Sequence, residues 1–405
     1  MHSFFSKKCC FAVFFIGFLL IFGGANIIYS QEELKELAED FSGIGNIKEL
    51  EDWIGEVETE TNEAILCRMQ FVETYGFLQK VMDKREFNSF AYIQDDEDML
   101  YYGSVMEQTM EDLTEYAQNV ARMKAYAESH GAKFMLVLPP SKVIPGLNNV
   151  NLSWPLNNPN NRIDKLMLLM HEYGVEAMDM RTTMLKSGKN LEDLFFKTDH
   201  HWTPLAAYYA AVDMAEQMKI RFGINWDMGS PYLKLENYHS YTYSQCFLGS
   251  TGRNTGAAYS GMDDYTLMWP ECGMDFVWTN YEKKEKRRTG KFTEALLLNS
   301  VFEDLKDVYD INSNRVYLDQ VTDHDKIVNL SNPNGPKLLV LRDSYFSPMA
   351  CFLAPLCSEI EMLWTRNSQG IDMEEFVKER DFDYLILEVY PYNLDEQSFD
   401  FFHAE

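Results

Sequence analysis

The segment KTDHHWTP, residues 197–204, sets an aspartate, two adjacent histidines and a tryptophan side by side. Residues of these types can do three things. A carboxylate and imidazoles can ligate a divalent cation. They can form the base half of a nucleophilic triad, the carboxylate orienting an imidazole that takes a proton from a hydroxyl. They can also satisfy one another's hydrogen bonds in a polar loop. In an extended segment Asp199 and His201 would project from one face and His200 from the other. The spacing therefore pairs Asp199 with His201, leaves His200 secondary, and makes Trp202 an apolar wall.

A base needs a nucleophile, because a serine hydroxyl attacks poorly while it keeps its proton. The stretch LLVLRDSYFSP, residues 338–348, reads as an apolar strand, a turn at Arg342-Asp343-Ser344, and a helix beginning near Ser347 and Pro348. A serine in such a turn stands at the carboxyl end of a strand, where backbone N–H groups and the following helix dipole favour a developing oxyanion. The alternative is that Ser344 only shapes the turn. For the metal reading, Asp-His-His resembles the signature of the DHH phosphoesterases. That family also needs further aspartate pairs at strand ends and a glycine-rich histidine motif near the C-terminus, and neither is present. The remaining histidines show no ligand spacing and there is no CxxC pair, so no metal or other cofactor is expected.

The elements that must position these residues alternate in type. A helical stripe (Leu113, Ala117, Val120, Ala127) stops at Gly131 and is followed by the buried-strand pattern KFMLVLPP. RIDKLMLLMHEYG then VEAMDM repeats the rhythm. TPLAAYYAAVDMAEQMKIRFG predicts a helix with Thr203 as N-cap, Pro204 in its first turn and Gly223 past its end. The motif KTDHHWTP thus falls just before a helix, which suggests a βα loop. Further on, KLLVLRDSYFSPMACFLAP, EIEMLW, MEEFVKERD and DYLILEV add strands and helices. Together they predict an α/β fold with a doubly wound parallel sheet. Between residues 224 and 335 the alternation fails, which reads as a large insertion at one rim of a pocket. Its basic run EKKEKRRTGK reads as a solvated loop. Lys142, Tyr345, Glu388 and Asn393 fall at predicted strand ends and are candidates to line the pocket.

The formal net charge of -27 repels phosphate backbones and argues against a nucleic-acid partner. Lys7 and Lys8 precede the apolar run CCFAVFFIGFLLIFGG, and an acidic, polar stretch follows. This order marks residues 1–30 as a signal peptide or an N-terminal membrane anchor, and so places the rest of the chain outside the cytoplasm, secreted or anchored. Residues 31–85 read as acidic amphipathic helices, a stalk or cap, and the main domain as residues 86–405. Five cysteines lie beyond the targeting segment. Cys246 with Cys272 is one conceivable bridge, and burial as small apolar side chains is the alternative.

TDHHWTP, the strand-RDSY element, the strand end LVLPPSK, the stretch SFAYIQDDEDMLYYG and the final DYLILEVYPYN resemble, in order and spacing, the extracytoplasmic DHHW proteins. They also resemble the SGNH hydrolase-like domains of the alginate O-acetyltransferases AlgX and AlgJ. The resemblance runs from about Phe90 to the C-terminus. It implies an SGNH-hydrolase-like (flavodoxin-like) fold in circularly permuted motif order, the Asp-x-His pair preceding the serine. It makes Ser344 the nucleophile, His201 the general base and Asp199 its orienting partner. The implied activity is an O-acetyltransferase or acetylesterase on a cell-surface or exported polysaccharide, working through an acyl-serine. A membrane-bound O-acyltransferase would pass the acetyl group outward. His200, Trp202, Arg342, Tyr345, Lys142 and Glu388 are the candidates for substrate contact. Two departures stand out: Arg342 replaces the usual glycine before Asp-Ser, and no clear Gly or Gly-x-Asn element for the remaining oxyanion donors is visible. The rival expectation is a non-catalytic surface glycan-binding or assembly protein that keeps the fold.

Overall fold

The computed structural model describes residues 2–31, 35, 37, 41, 50, 53–55, 57, 62, 64–106, 112–147, 154–281, 286–302, 308–309, 313–319, 322–365 and 371–394. The chain divides into two compact units, Met1–Leu78 and Gln79–Glu405. In the first, the helix His2–Tyr29 contains a 21-residue stretch, Cys9–Tyr29, that is long and apolar enough to cross a membrane. Its end is tied to the following segment: the Asn26 side chain accepts from the Leu66 N–H at 2.7 Å, and the Ser30 hydroxyl donates to the Ala64 carbonyl. A helix at Arg68–Val81 follows. Of the acidic helical segment expected over residues 31–85, most of residues 32–63 lies outside the described residues.

In the second unit, β1 (Glu86–Phe87), β2 (Tyr92–Gln94) and β3 (Leu100–Tyr102) form a small antiparallel meander. The chain then enters the main sheet with β4 (Lys133–Leu138) and β5 (Ala177–Asp179). The insertion supplies β6 (Tyr238–Phe247), β7 (Asp263–Pro270), β8 (Phe276–Asn280), β9 (Lys286–Gly290) and β10 (His324–Asn329). The last strands are β11 (Lys337–Arg342), β12 (Glu359–Trp364) and β13 (Tyr384–Glu388).

The main sheet has the order β5-β4-β13-β11-β12-β10-β8-β9. Its first five strands are parallel, as the alternating sequence pattern implies. Side-chain alternation along β4 separates two cores. Met135 and Val137 join the cluster that holds the helix Pro204–Phe222. Phe134, Leu136 and Leu138 join the cluster under the helices Thr114–Ser129 and Asn160–Glu172. Strand β11 divides in the same way, Leu338 and Val340 to one face and Leu339 and Leu341 to the other. Helices therefore cover both faces, the doubly wound arrangement.

The insertion does more than edge a pocket. β10, β8 and β9 extend the main sheet antiparallel, while β6 and β7 form a separate hairpin. The basic run expected to be a solvated loop is, at Lys286–Gly290, the edge strand β9. Hydropathy hides it because an edge strand faces water, and lysine and arginine there protect the open edge from further pairing. Arg288 also lays its guanidinium over the Trp278 ring at 4.2 Å. Residues 282–285 of that run lie outside the described residues. No disulfide forms among the described residues, and Cys246 and Cys272 are both thiols.

Candidate active site

Three neighbouring parallel strands, β4, β13 and β11, end side by side. Chain direction diverges here, β4 leading outward to β5 and β11 to β12, which is where doubly wound sheets form crevices. Ser344 sits in the turn between β11 and the helix Phe346–Leu353. Asp343 builds that turn. One of its carboxyl oxygens accepts the Tyr345 N–H at 3.0 Å. The other accepts the Tyr390 N–H and the Asn393 side chain. The Asp343 N–H is itself taken by Glu388 Oε2 at 2.9 Å. Ser344 is left half-buried, and its N–H makes no hydrogen bond among the described residues.

The Asp-His-His segment is not extended. It is a bent loop between two helices, Leu191–Leu194 and Pro204–Phe222, closed by an isolated antiparallel bridge from Phe195 to Trp202. The expectation of a βα loop is corrected accordingly. Asp199 and His201 still meet, because an Asx turn does what strand geometry was expected to do: Asp199 Oδ1 accepts the His201 N–H at 2.9 Å and also lies 2.6 Å from His201 Nδ1. The loop joins its helix as the sequence predicts, with Thr203 as N-cap, Pro204 in the first turn and Gly223 left-handed at the end.

His201 Nε2 lies 2.6 Å from Ser344 Oγ, across 143 positions of chain. An ionised carboxylate only accepts hydrogen bonds, so Asp199 holds the imidazole proton on Nδ1 and leaves the Nε2 lone pair facing the hydroxyl. Burial alone would raise the Asp199 pKa, but the two neighbouring imidazoles and the hydrogen bonds from His201 hold it well below the usual carboxylate range. Its second oxygen accepts the Ser250 N–H at 2.7 Å.

His200 takes another direction. Its ring lies against that of His201, centroids 4.0 Å apart, and its Nδ1 meets Ser250 Oγ at 3.0 Å. Burial and then the charge of His201 depress its pKa to about 3, so it is neutral over the physiological range. Asp199, His200 and His201 do offer ligand atoms within 4.8 Å of one another. Of these, Asp199 Oδ1 and His201 Nδ1 are bonded to each other, His201 Nε2 meets Ser344 and His200 Nδ1 meets Ser250.

The other sequence candidates separate. Trp202 lines the same small cavity as Ser344 and His201. Lys142 lines a neighbouring one beside His200, donating to the carbonyls of Leu100 and Lys197. Burial lowers its pKa to about 8 against the pull of Asp263, Asp199 and Asp95. Arg342, Tyr345 and Glu388 cannot touch a substrate: each is at most 1% exposed. Arg342 turns away from the site into a fully buried ion pair with Asp325 at 3.1 Å, and that aspartate also accepts from Trp278 Nε1. Tyr345 donates to the His200 carbonyl and stacks on Tyr390 at 4.6 Å. Burial, with the nearby charge of Asp343, raises the Glu388 pKa well above the usual carboxyl range and so favours its neutral form. These three residues position; they do not contact ligand.

Three residues that sequence reasoning passed over complete the site, and all come from the insertion. Ser250 holds Asp199 and His200. Asp263 accepts the N–H groups of Lys197 and Thr198 and the Thr198 hydroxyl. Gly249 donates to the Thr198 hydroxyl at a place where any Cβ would lie 2.2 Å from that of Asp199. Gly-Ser at 249–250 and Asp-Asp at 263–264 look like ordinary turn residues, so no motif marks them.

Residues 95–229 match the family model described as the SGNH hydrolase-like domain of acetyltransferase AlgX, a span that includes Asp199 and His201 and ends before Ser344. No curated protein matches the sequence. Among solved structures, Bacillus cereus PatB1 with a sulfonyl adduct is similar over 76% of this chain and 99% of its own, with a TM-score of 0.61 at 15% identity. PatB1 without the adduct gives 0.60 at 16% identity, over 76% and 99%. A DHHW family protein from Eubacterium siraeum gives 0.55 at 16% identity, over 76% and 92%.

Proposed function

We propose that this chain, whose main unit has the SGNH hydrolase-like α/β fold of PatB1 and the DHHW protein, is an extracytoplasmic serine-dependent O-acetyltransferase, or acetylesterase, that acts on a cell-surface or exported polysaccharide. The observation that carries the reading is the single imidazole standing 2.6 Å from both a serine hydroxyl and a buried carboxylate. The description of the matching family model as an acetyltransferase supports the choice of acyl group.

In this reading Ser344 Oγ attacks the carbonyl carbon of an acetyl donor while His201 Nε2 takes its proton. The new C–O bond pushes the carbonyl π pair onto oxygen. Collapse of that oxyanion expels the donor alkoxide, which takes the proton back from His201 and leaves acetyl-Ser344. A sugar hydroxyl then repeats the sequence as nucleophile, deprotonated by His201. The acetyl ester moves to the sugar and Ser344 regains its proton; water in place of the sugar gives hydrolysis. Asp199 keeps His201 in the required tautomer and steadies the transient imidazolium. The apolar helix at Cys9–Tyr29 would hold the domain at the outer membrane face or direct its export, within reach of a membrane-bound O-acyltransferase that supplies acetyl groups.

The test is covalent. After incubation with 4-nitrophenyl acetate and rapid acid quench, peptide mass spectrometry should find acetyl on Ser344. Turnover of the ester should fall on the order of 10⁴-fold in Ser344→Ala and His201→Ala. A protein that neither turns over the ester nor reacts at Ser344 with a fluorophosphonate, yet retains glycan, would be a binding protein on the same fold.

A further inference from the structure

The tetrahedral intermediate on the way to an acyl-serine is stabilised by donors aimed at its oxyanion, and this turn provides one. The Ser344 N–H is unpartnered among the described residues, but the Tyr345 N–H, the next in line, is engaged by Asp343 Oδ1. Of the Gly-x-Asn runs in the sequence, the one that follows Ser250, Gly252-Arg253-Asn254, has its Asn254 amide donating to the Tyr92 hydroxyl at 2.8 Å. The cavity beside Ser344, about 20 Å³, is lined by Phe196, His201, Trp202, Tyr265, Tyr317 and Ser347 among others. A water-sized group fills roughly 10–15 Å³ on the same measure, so the space suits an oxygen or a methyl group and little more.

Within its lining, Trp202 Nε1 is buried with no hydrogen-bond partner among the described residues, and the Ser347 hydroxyl is in the same state. An indole N–H can only donate, and in a buried tryptophan it nearly always finds an acceptor. Leaving it unpaired costs about 1–3 kcal/mol, and an orphan of this kind calls for an explanation, a catalytic role among them. Trp226 and Trp364 carry such orphans too, but only Trp202 lines the cavity beside Ser344. The ring is also fixed. Its backbone bridges to Phe195, and its edge meets Tyr345 at 5.0 Å between centroids.

We propose that Trp202 is a catalytic residue whose indole N–H, with the backbone N–H of Ser344, forms the oxyanion hole. This rests on the reading of Ser344 as the acyl-bearing nucleophile. When Ser344 Oγ bonds to the acetyl carbon, the π pair displaced onto the carbonyl oxygen is met by these two donors. No proton moves to or from Trp202. The donor is held in place before reaction, so no reorganisation opposes charge development.

The experiment replaces Trp202 in two ways: Trp202→Phe, and substitution by benzothienylalanine, which keeps the bicyclic shape and puts sulfur in place of the N–H. The kcat and KM for 4-nitrophenyl acetate, the second-order rate of fluorophosphonate labelling and the melting temperature are measured alongside Ser344→Ala. The expected result is a fall in kcat of about 10²–10³-fold for both variants, the magnitude of one lost oxyanion donor, and a matching fall in labelling rate. KM and the melting temperature of the benzothienyl protein should be unchanged. If that protein turns over and labels like the parent while Ser344→Ala is dead, Trp202 is not the donor and the serine reading stands. If Ser344→Ala is as active as the parent, or the parent neither turns over nor labels, the serine reading fails and takes this inference with it.

Discussion

Replacing Asp199 with asparagine tests the charge relation at the centre of the site while barely changing its shape. Asp199 now accepts three N–H groups: the His201 N–H and Nδ1–H on Oδ1, and the Ser250 N–H on Oδ2. An amide has one acceptor end and one donor end, so no orientation satisfies all three. If the amide oxygen keeps the Oδ1 place, His201 keeps its tautomer, but the amide nitrogen opposes the Ser250 N–H, which sits 2.7 Å from that position. If the amide flips, Ser250 is satisfied and the His201 N–H is opposed instead. The amide then donates to Nδ1, which moves the imidazole proton to Nε2 and presents a donor, not a base, to Ser344. Either orientation orphans one buried N–H, a loss of about 1–3 kcal/mol in stability. The first removes only the electrostatic support of the imidazolium. The second removes the base, for which triads of this kind lose about 10⁴ in kcat. Esterase turnover should therefore fall by between about 10² and 10⁴, the upper figure marking the flipped tautomer. Assays are 4-nitrophenyl acetate kinetics, with urea unfolding to register the stability loss. Turnover within tenfold of the parent, alongside the expected destabilisation, would refute the assignment of His201 as base and Asp199 as its partner.

Two further outcomes follow from other parts of the fold. Gly249→Ala places a methyl 2.2 Å from Asp199 Cβ and 2.6 Å from the Thr198 carbonyl. Asp199 must shift, so esterase activity should fall at least about 10²-fold with the protein still folded, since small misplacements of a catalytic group cost that much; near-parental turnover by a folded variant would contradict the packing. Glu361 lies among His324 at 2.8 Å, Arg380 at 3.0 Å and Lys326 at 3.2 Å. Burial alone would raise its pKa, but these partners hold it down to about 2. A depressed carboxyl contributes stability above its unfolded pKa of about 4.3 and loses it as pH falls toward the folded value. Glu361→Gln should thus destabilise at pH 7 by on the order of 3 kcal/mol, from about 1.4 kcal/mol per pH unit, and the gap to the parent should narrow as pH falls from 4.3 toward 2. A gap that does not change with pH in urea titrations would exclude this linkage.

What the sequence discloses and what it hides divide along physical lines. The parallel half of the sheet is legible because its strands are buried on both faces and read as continuous apolar runs, each followed by a capped helix. The helix Pro204–Phe222 shows the same legibility residue by residue, from Thr203 to Gly223. The antiparallel strands of the insertion are not legible in this way. β6 is largely exposed, and β9 is a basic edge, so neither carries the apolar run that marks a core strand. In the site, residue types identify Asp199, His201 and Ser344 as candidates, but their meeting depends on an Asx turn and a bent loop that no periodicity encodes. Arg342 misleads for a related reason. At the end of a strand beside the serine it looks like a ligand contact, yet its partner Asp325 stands on a strand of the insertion, which the sequence does not place in the sheet.

The carboxyl groups around Ser344 explain how loops alone hold such a geometry. Asp199, Asp263 and Asp343 each use both oxygens, and most of what they bind is backbone N–H: His201 and Ser250, Lys197 and Thr198, Tyr345 and Tyr390. Charge-assisted bonds of this kind are about twice as strong as neutral ones. They tie segments from residues 197–201, 249–250, 343–345 and 390 into one frame without any shared strand. The same device has an electrostatic limit, since like charges in a dry interior repel. Glu388 meets that limit because burial and the charge of Asp343 push its pKa up, favouring the neutral form. Lys142, close to Asp263 and Asp199, supplies a positive charge on the other side. The insertion donates Ser250 and Asp263 to this frame, so it is part of the machinery that aims His201 at Ser344. Shortening it at the β6–β7 hairpin would remove a support of the triad, not an ornament of its rim.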